Sequence, residues 1–367
     1  MGAAQKDGAE ATVVKGLDLC EAFFQEIAQP ILVTSFPSLR YAAGLCGYGS
    51  DVLVSAGHNW GPRFTLFLPE ESFEEWETHI MAAFAVGFPY EYKGCSVHFS
   101  APEWHEKGVR RQEFISHGRV DPLIEYHTVR SYFEDYLGHT PGKDISVAQW
   151  LTFTEHRLLG VTSSKVFHND LGILEVRKKL AYFPREIWLW MMAAQWTMIA
   201  EEEAFVGRCG YVGDDMGSRV IATRQVQRLM RLGFLLEKRY APYSKWLGAA
   251  FKTLAIAPVL LPILEQVLAA SFWQEREHYL GRAYQIVAEK HNALGLTEEL
   301  NTEMNAYFGR PFQVLGAHRF AAALRKAIRC TALKQMVPEI GSVSQFTDSV
   351  TLFNAVKLYG KLQKLYQ

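Results

Sequence analysis

The feature that most constrains the fold is a change of periodicity along the chain near residue 145. Before this point, short β-rich stretches such as residues 63–68 (RFTLFL) alternate with amphipathic segments. After Pro141 strand signals almost vanish and helical periods continue to the C-terminus. We therefore predict an α+β fold, with a mixed-sheet α/β domain over residues 1–145 and a helical domain over residues 146–367.

Individual elements follow from the same patterns and from Pro and Gly positions. The predicted strands cover residues 41–46, 63–68, 95–99 and 123–128. The predicted helices cover residues 17–32 (closed by Pro30), 70–84, 129–137, 185–203, 217–238, 243–256, 272–293 and 316–334. The apolar run 254–264 has Pro258 and Pro262 in it, which favours a buried helix pair with a proline break.

Composition argues against several classes of partner. The net charge is −1 and Lys and Arg are spread along the chain, so we expect no nucleic-acid partner. The N-terminal segment has no apolar signal core, and the longest apolar run is too short to span a bilayer. The five Cys show no C-x-x-C spacing, which is typical of reduced thiols. These features predict a soluble, cytoplasmic protein without a membrane partner.

A turn with two glycines, Gly47-Tyr48-Gly49-Ser50, follows the first predicted strand. Such a turn presents backbone amides and a hydroxyl to an anion, although a plain turn that simply needs glycine is an equal alternative. Nucleotidyl transfer uses this arrangement together with two Mg²⁺ ions. Two carboxylates on a second strand, separated by one residue, hold the ions, because strand alternation directs both side chains to the same face. A third carboxylate comes from a neighbouring strand.

The segments G-Y-G-S-D-V-L (47–53) and H-N-W-G-P-R (58–63) resemble a family of uncharacterised nucleotidyltransferase-like proteins, in which G-S-E-V-L is followed by D-H-D-W-G-P-R. Further similar segments extend over nearly the whole chain: W-L-T-F (150–153), L-A-Y-F-P (180–184), A-A-Q-W (193–196), the glycine-rich stretch at 205–219, R-Y-A-P-Y-S-K-W-L-G (239–248), H-N-A-L-G-L-T (291–297), R-P-F-x-V-L (310–315) and I-G-S-V-x-Q-F-x-D-S (340–349). The resemblance implies a nucleotidyltransferase domain followed by a helical bundle, as in kanamycin-type nucleotidyltransferases.

This chain departs from the family pattern at the metal motif. Where the family has D-H-D, it has Gly57-His58-Asn59, so both carboxylates are gone. A neutral Asn59 amide holds Mg²⁺ less well than a carboxylate, and His58 favours softer metals. Glu125 remains as a candidate third carboxylate. One carboxylate does not assemble a two-metal site, so we predict no catalytic metal and no cofactor.

Four side chains are candidate catalytic hydrogen-bond donors: Arg63, His127, Tyr243 and Lys245. Candidate substrate-binding residues are Tyr48, Ser50, His58, Asn59, Trp60, Glu125, Tyr126, Arg208 and Trp246. Strand alternation puts Glu125 and His127 on one face, either as an acid–base pair or as a satisfied polar pair. Trp60 fits packing or a pocket wall, and an ordinary solvated lysine is the alternative for Lys245. The glycine-rich residues 207–217 favour a shaped loop beside a cleft.

Three functions remain open, since fold does not dictate function. The first is a repurposed enzyme that acts on an apolar small molecule without metal ions, with a Diels–Alder-type cyclisation in natural-product biosynthesis as the concrete example. The second is a residual nucleotidyltransferase that uses Asp51, Asn59 and Glu125. The third is a non-catalytic nucleotide-binding protein. Each implies a small-molecule ligand, and the oligomeric state stays open.

Overall fold

A computed structural model describes residues 16–44, 60–103, 105, 108–336 and 339–367. Five residues singled out in the sequence, Tyr48, Ser50, Asp51, His58 and Asn59, lie outside the described residues. The chain divides into two compact units. The sheet unit comprises Met1–Asp135, Thr140–Gly142 and Gly160–Lys178, and the helical unit comprises Tyr136–His139, Lys143–Leu159 and Lys179–Gln367.

The sheet unit is built on a four-stranded mixed sheet. The strands in chain order are β1 Ala42–Gly44, β2 Arg63–Phe67, β3 Glu91–Tyr92, β4 Cys95–Ser96, β5 Leu123–His127 and β6 Val166–Asn169. In the sheet the order is β5-β2-β1-β6, while β3 and β4 form a separate hairpin. Strand β1 pairs antiparallel with β2 and β6, and β2 pairs parallel with β5. The neighbour of β2 at one edge is therefore the strand that carries Glu125.

One face of this sheet carries the core of the unit. Alternate residues of β2 and the residue after it, Phe64, Leu66 and Leu68, are buried there. The core is covered by helices, whose bounds are α1 Gly16–Phe23, α2 Gln29–Ser35 and α3 Phe73–Gly87. The other side chains of β2 point to the opposite face, which α4 (Val129–Leu137) partly covers through Tyr132. Thr65 and Phe67 of β2 are buried on this second face as well, whereas Glu125 of β5 is exposed there and is available to a site.

The prediction that Pro30 closes the first helix is wrong. A π-helical segment, Phe24–Ala28, follows α1 and leads directly into α2, so the helical stretch continues to Ser35. Pro30 occupies one of the first two positions of α2, where the missing N–H is tolerated. The wider π turn replaces the α-helical bonds at this point, and its signal is not visible in an apolar pattern.

Strand β6 was not predicted from the sequence. It pairs with β1 through Ala42 and Asn169, with a register shift between Ala43 and Gly44. Residues 160–178 therefore lie with the sheet unit, whereas the sequence pattern places them in the helical part. Four residues with the sequence V-F-H-N are too few to show a period of two.

The helical unit follows the predicted α-helical pattern. It begins with α5 Val147–Thr152. Helix α6 Glu155–Ser163 is divided between the two units, and α7 Ile173–Lys179 lies almost entirely in the sheet unit. The remaining helices of the helical unit are α8 Arg185–Glu202, α9 Phe205–Tyr211, α10 Asp215–Leu236, α11 Ser244–Phe251, α12 Ala257–Ala269, α13 Trp273–Ala293, α14 His318–Ala327, α15 Thr331–Gln335, α16 Val343–Phe346, α17 Val350–Asn354 and α18 Tyr359–Leu362. Helix α8 is buried on nearly all sides, as its apolar composition predicts. Its Trp196 stacks on Phe320 at 4.5 Å between ring centres and donates to His291 Nδ1 at 3.2 Å.

Three helix predictions in this unit are wrong in detail. The predicted helix 243–256 is shorter, because α11 ends at Phe251 and turns follow it. Residues 316–334 form two helices, α14 and α15, because the chain is extended at Ile328 after α14. The run 254–264 is not a helix pair, since α12 is one helix that begins with Pro258 in its first turn and includes Pro262. A short hairpin of β7 (Asn305–Ala306) and β8 (Gln313–Val314) was also not predicted.

The α+β class itself is confirmed: a small mixed sheet precedes a helical C-terminal half. No helix among the described residues is both long and apolar enough to cross a membrane.

Candidate functional site

The parallel pairing of β2 and β5 sets the first candidate site. Thr65 lies directly beside Glu125, and Phe67 beside His127. Thr65 Oγ1 donates a hydrogen bond to Glu125 Oε2 at 3.3 Å. The threonine is 2% exposed while the carboxylate is exposed to solvent. Glu125 thus stands on the strand next to β2, where the family pattern predicts a third carboxylate, and a buried hydroxyl orients it.

His127 shares the face of Glu125, as strand alternation predicts, but it has different surroundings. Its ring lies edge-on to Tyr132 with 5.5 Å between ring centres, and Tyr132 also contacts Phe67 at 5.3 Å. Among the described residues, Glu125 and His127 are not joined by a hydrogen bond, and the bond of Glu125 goes to Thr65. The geometry favours the packing role of His127 over an acid–base pair with Glu125.

Two residues predicted to bind substrate point elsewhere. Tyr126 lies on the opposite face of β5 and packs against the core of the sheet unit, where burial raises its pKa. Trp60 also packs against this core, and its carbonyl oxygen accepts from Gln112 Nε2 at 3.1 Å. The structure does not bring either side chain together with Glu125. For Tyr126 the reason is strand alternation, which sends neighbouring residues to opposite faces, and Trp60 precedes β2 and packs on the core side.

The residues beside Glu125 do not fit a pair of Mg²⁺ ions. On the same face of β2 the chain offers the Arg63 cation and the Thr65 hydroxyl, and no acid. Within the described ranges, no three His, Cys, Asp or Glu side chains are grouped as a metal site. A cation beside a single carboxylate suits an anionic or hydrogen-bonding ligand better than a divalent metal.

A second candidate site lies in the helical unit, where three of the family-like segments meet. Glu155 Oε2 accepts a hydrogen bond from the Ala241 amide at 3.0 Å, although 86 positions separate the two in sequence. Tyr240 donates its hydroxyl to the Leu180 carbonyl at 2.9 Å, and the rings of Tyr182 and Tyr240 lie 5.1 Å apart. These contacts connect Glu155, two residues after the segment at 150–153, with the segments at 180–184 and 239–248.

Glu155 is a buried carboxylate at the centre of this group, 4% exposed. Burial raises its pKa, while the charge of Arg231 and the Ala241 amide oppose the rise. Burial, and the nearby Glu155 charge, also raise the pKa of Tyr182 and Tyr240. A buried acid is expensive unless it is hydrogen-bonded, so Glu155 fixes the backbone just before α11.

His156, the next residue, contacts the predicted catalytic Tyr243. The two rings are edge-to-face with 4.7 Å between centres. Burial lowers the pKa of His156 to about 4, and the charge of Arg157 acts in the same direction. His156 is therefore a neutral imidazole at physiological pH. Sequence reasoning missed Glu155 and His156, although both directly follow the family-like W-L-T-F segment.

Tyr243, Lys245 and Trp246 lie together at the start of α11, as their sequence spacing requires. Tyr243 is the residue before the helix, and Lys245 is exposed in its first turn. Lys245 Nζ lies 4.8 Å from the centre of the Trp246 ring, within cation–π range. This segment presents a cation, an indole and a phenol on one short stretch of chain.

The glycine-rich segment is not the shaped loop that its composition predicts. It folds into α9 and the start of α10, and Arg208 is exposed on α9. A Cβ atom added at Gly210 would lie 2.1 Å from Cγ of Trp273, so glycine allows α9 to pack closely there. Asp214 caps α10 by accepting from the Gly217 amide at 2.8 Å. The glycines serve helix packing and a turn.

The predicted catalytic residues thus fall into two groups. Arg63 and His127 belong to the sheet unit, and Tyr243 and Lys245 belong to the helical unit. Each group has its own local geometry: the first around Thr65 and Glu125, and the second around buried Glu155.

Comparison with known proteins gives two matches. Residues 150–247 match a family described as Domain of unknown function (DUF4037), which includes all three segments of the second site. A solved structure that the chain resembles is a nucleotidyltransferase-like protein from Exiguobacterium sibiricum. The sequence identity is 12%, the similarity covers 75% of this chain and 77% of that one, and the TM-score is 0.32. No curated protein matches the chain.

Proposed function

We propose that this chain is a repurposed nucleotidyltransferase-fold enzyme that acts on an apolar small molecule without catalytic metal ions. The observation that carries the proposal is the composition of the sheet face. On strands β2 and β5, Glu125 is the only acidic side chain, and the nearest face positions hold Arg63 and Thr65. Because Gly57-His58-Asn59 replaces D-H-D, the carboxylates for a two-metal reaction are missing from the sequence.

The reaction class proposed is an intramolecular cyclisation of the Diels–Alder type. Such a reaction forms two C–C bonds and a ring from the π electrons of one substrate, so it needs no metal, nucleophile, oxidant or leaving group. The protein contributes by holding a reactive conformation and by donating hydrogen bonds to developing charge. Lys245 and Tyr243 of the helical unit are the proposed donors, and the Trp246 ring supplies apolar surface.

Order in the second site supports this proposal. Glu155 fixes Ala241 by a buried hydrogen bond, and neutral His156 packs on Tyr243. Because these contacts already order the segment that carries Tyr243 and Lys245, it loses little conformational entropy when it binds a carbonyl or carboxylate of a substrate. The charge of Lys245, next to an indole, suits a substrate that combines a carboxylate with an apolar chain.

Thermal melting with a ligand panel tests this proposal. The panel holds polyene carboxylic acids on one side and ATP, GTP and CTP, with and without Mg²⁺, on the other. A ligand at 100 times its Kd adds about 2.7 kcal/mol of stability, which a melt detects. We expect polyene carboxylates to raise Tm in the wild type and in Lys252→Ala, a control at an exposed lysine of the same unit, and not in Lys245→Ala. Equal responses in all three proteins would remove Lys245 from the site.

A residual nucleotide site is the second candidate, and one observation favours it. Glu125 keeps the place of a third carboxylate and is oriented by Thr65. A nucleotide that raises Tm only with Mg²⁺, with the effect lost in Glu125→Gln, would replace the cyclase proposal by this one.

A further inference from the structure

One end of the helical unit exposes an unusually large apolar surface. We call it the apolar corner, and define it as Phe205, Tyr211, Val212, Met216, Phe272 and Phe308. Their exposed fractions are 42, 63, 64, 72, 66 and 84%. They belong to α9, the turn after it, the first turn of α10, the residue before α13 and the tip of the β7–β8 hairpin.

Contacts between neighbouring residues join the elements that carry the corner. Gly210 of α9 packs against Trp273, the residue after Phe272. Arg276 of α13 donates to Asp215 of α10 at 2.9 Å, and Arg219 of α10 donates to the Ser271 carbonyl at 3.1 Å. These bonds hold the starts of α10 and α13 side by side. The hairpin joins them because its Phe312 meets Gly207 of α9.

The size of the corner is that of an interface. At about 200 Å² for each aromatic side chain, its four aromatic residues expose about 500 Å². Val212 and Met216 extend this surface beyond the roughly 300–600 Å² typical of the largest patch on a monomer. A standard protein–protein interface takes about 800 Å² from each partner, which the corner and its rim provide.

Charged residues at the rim of the apolar corner indicate which kind of partner fits it. Arg208 and Asp214 are both exposed, and they border one turn, since the Asp214 amide donates to the Cys209 carbonyl at 2.9 Å. A two-fold contact pairs identical surfaces, so an exposed cation and an exposed anion on one surface allow reciprocal ion pairs between two copies. The net charge of −1 gives no repulsion between copies. The rim carries both signs of charge, with Arg208 and Arg219 near Asp214 and Asp215, so it lacks the cluster of basic residues that binds an anionic membrane.

We propose that the apolar corner is the interface of a homodimer, in which a second copy of this chain covers the surface. This proposal is independent of the proposed activity, because the corner contains none of the residues around Glu125 or Glu155. Arg208 at its rim, which the sequence named as a substrate-binding candidate, lies on α9 in neither candidate site. It assigns the exposed α9–α10 turn to assembly.

Light scattering during size-exclusion chromatography tests the dimer. The chain mass is 41.6 kDa, so a dimer has twice that mass. We would load protein from about 1 to about 100 μM, a range that covers weak and tight association. Met216→Glu and Phe272→Asp each place a carboxylate at a helix N-terminus, which the helix dipole favours, so the fold should keep its stability. Val259→Glu is the matched control: it is 59% exposed in the first turn of α12 and lies outside the corner.

The expected result is a dimer for the wild type and Val259→Glu, and a monomer for Met216→Glu and Phe272→Asp with melting temperatures unchanged. Dimers that persist in both corner variants would overturn the proposal. A wild type that is monomeric throughout this concentration range would also overturn the proposal. That holds even if the monomer sediments with phosphatidylserine vesicles, because the partner would then be a membrane.

Discussion

Thr65 donates a hydrogen bond to Glu125 across the parallel pair of β2 and β5, and the donor is buried while the acceptor is exposed. The bond holds the single carboxylate of this face toward β2, with Arg63 two residues before Thr65 on the same side. A carboxylate that accepts from a hydroxyl, with an arginine on the same strand face, favours an anionic or hydrogen-bonding ligand over a divalent metal. This relationship is the basis of the proposed loss of two-metal chemistry.

A double-mutant cycle measures the coupling between these two residues. Thr65→Val keeps the side-chain shape and removes the donor, and Glu125→Ala removes the acceptor. We expect a coupling free energy of about 1 kcal/mol, as for a hydrogen bond to a partly solvated charged group. Urea unfolding of the wild type, both single variants and the double variant gives this value. Strictly additive effects would show that the bond contributes nothing.

The pattern of the sequence predicted the fold class and several elements because these depend on local periodicity. Residues 129–137 form α4 as predicted, since Gly138 ends a clear amphipathic repeat. The shared face of Glu125 and His127 also follows from strand alternation. Local patterns did not predict β6, whose four residues carry too few side chains, or the π turn before Pro30.

The second site shows why the remaining residues were missed. Glu155 meets Ala241 across 86 positions, and nothing in either segment indicates the other. The glycines at 207 and 210 were interpreted as a loop because composition does not distinguish a turn from close helix packing. Contacts between distant segments determine which polar residues are buried together, and a single sequence does not contain them.

His156 should titrate far below an ordinary histidine. Its pKa is lowered to about 4 by burial, so its NMR shifts should stay those of a neutral ring from neutral pH down to mildly acidic pH. Tyr243→Ala exposes the ring, and we expect the midpoint to move upward toward 6.5. A midpoint that Tyr243→Ala leaves unchanged would contradict the edge-to-face contact.

The same histidine makes stability depend on pH. Between about pH 4 and pH 6.5, His156 is protonated in the unfolded chain but stays neutral in the folded protein. The free energy of unfolding therefore decreases as the pH falls through this window. His156→Gln should show a flatter profile than the wild type in urea unfolding across this range. Parallel profiles would mean that His156 is protonated equally in both states.

Glu155 makes stability depend on pH in the opposite direction from His156. Burial raises its pKa in the folded state, so its stabilising contribution is present at low pH and is lost as the pH rises through the raised value. Glu155→Gln keeps an acceptor for the Ala241 amide and removes the charge. We therefore expect the stability of this variant, relative to the wild type, to increase with pH.

Glu155→Leu is the control for this pair, because it removes the charge and the acceptor together. Leaving the buried Ala241 amide without a partner should make Glu155→Leu about 1–3 kcal/mol less stable than Glu155→Gln at every pH. If Glu155→Gln and Glu155→Leu had the same stability, the hydrogen bond to Ala241 would not hold this segment.

Gly210 should not tolerate a side chain, although it lies in a helix. A Cβ atom would come within 2.1 Å of Trp273, so Gly210→Ala should destabilise the fold by about 1–3 kcal/mol through overpacking. Gly248→Ala in α11 meets open space, and we expect it to stabilise the protein by about 0.5–1 kcal/mol. Urea unfolding of the two variants compares them directly. Stabilisation by both would show that α9 does not pack against Trp273.

The central claim is that this chain has lost metal-dependent nucleotidyl transfer, and its most direct test is thermal melting of the purified protein. The wild type and Glu125→Gln are each melted with ATP, GTP or CTP, in the presence and in the absence of Mg²⁺. Loss of the two motif carboxylates predicts that no nucleotide raises Tm in a Mg²⁺-dependent way in either protein. A Mg²⁺-dependent rise in the wild type that Glu125→Gln abolishes would contradict the metal-free account and restore nucleotidyl transfer as the function.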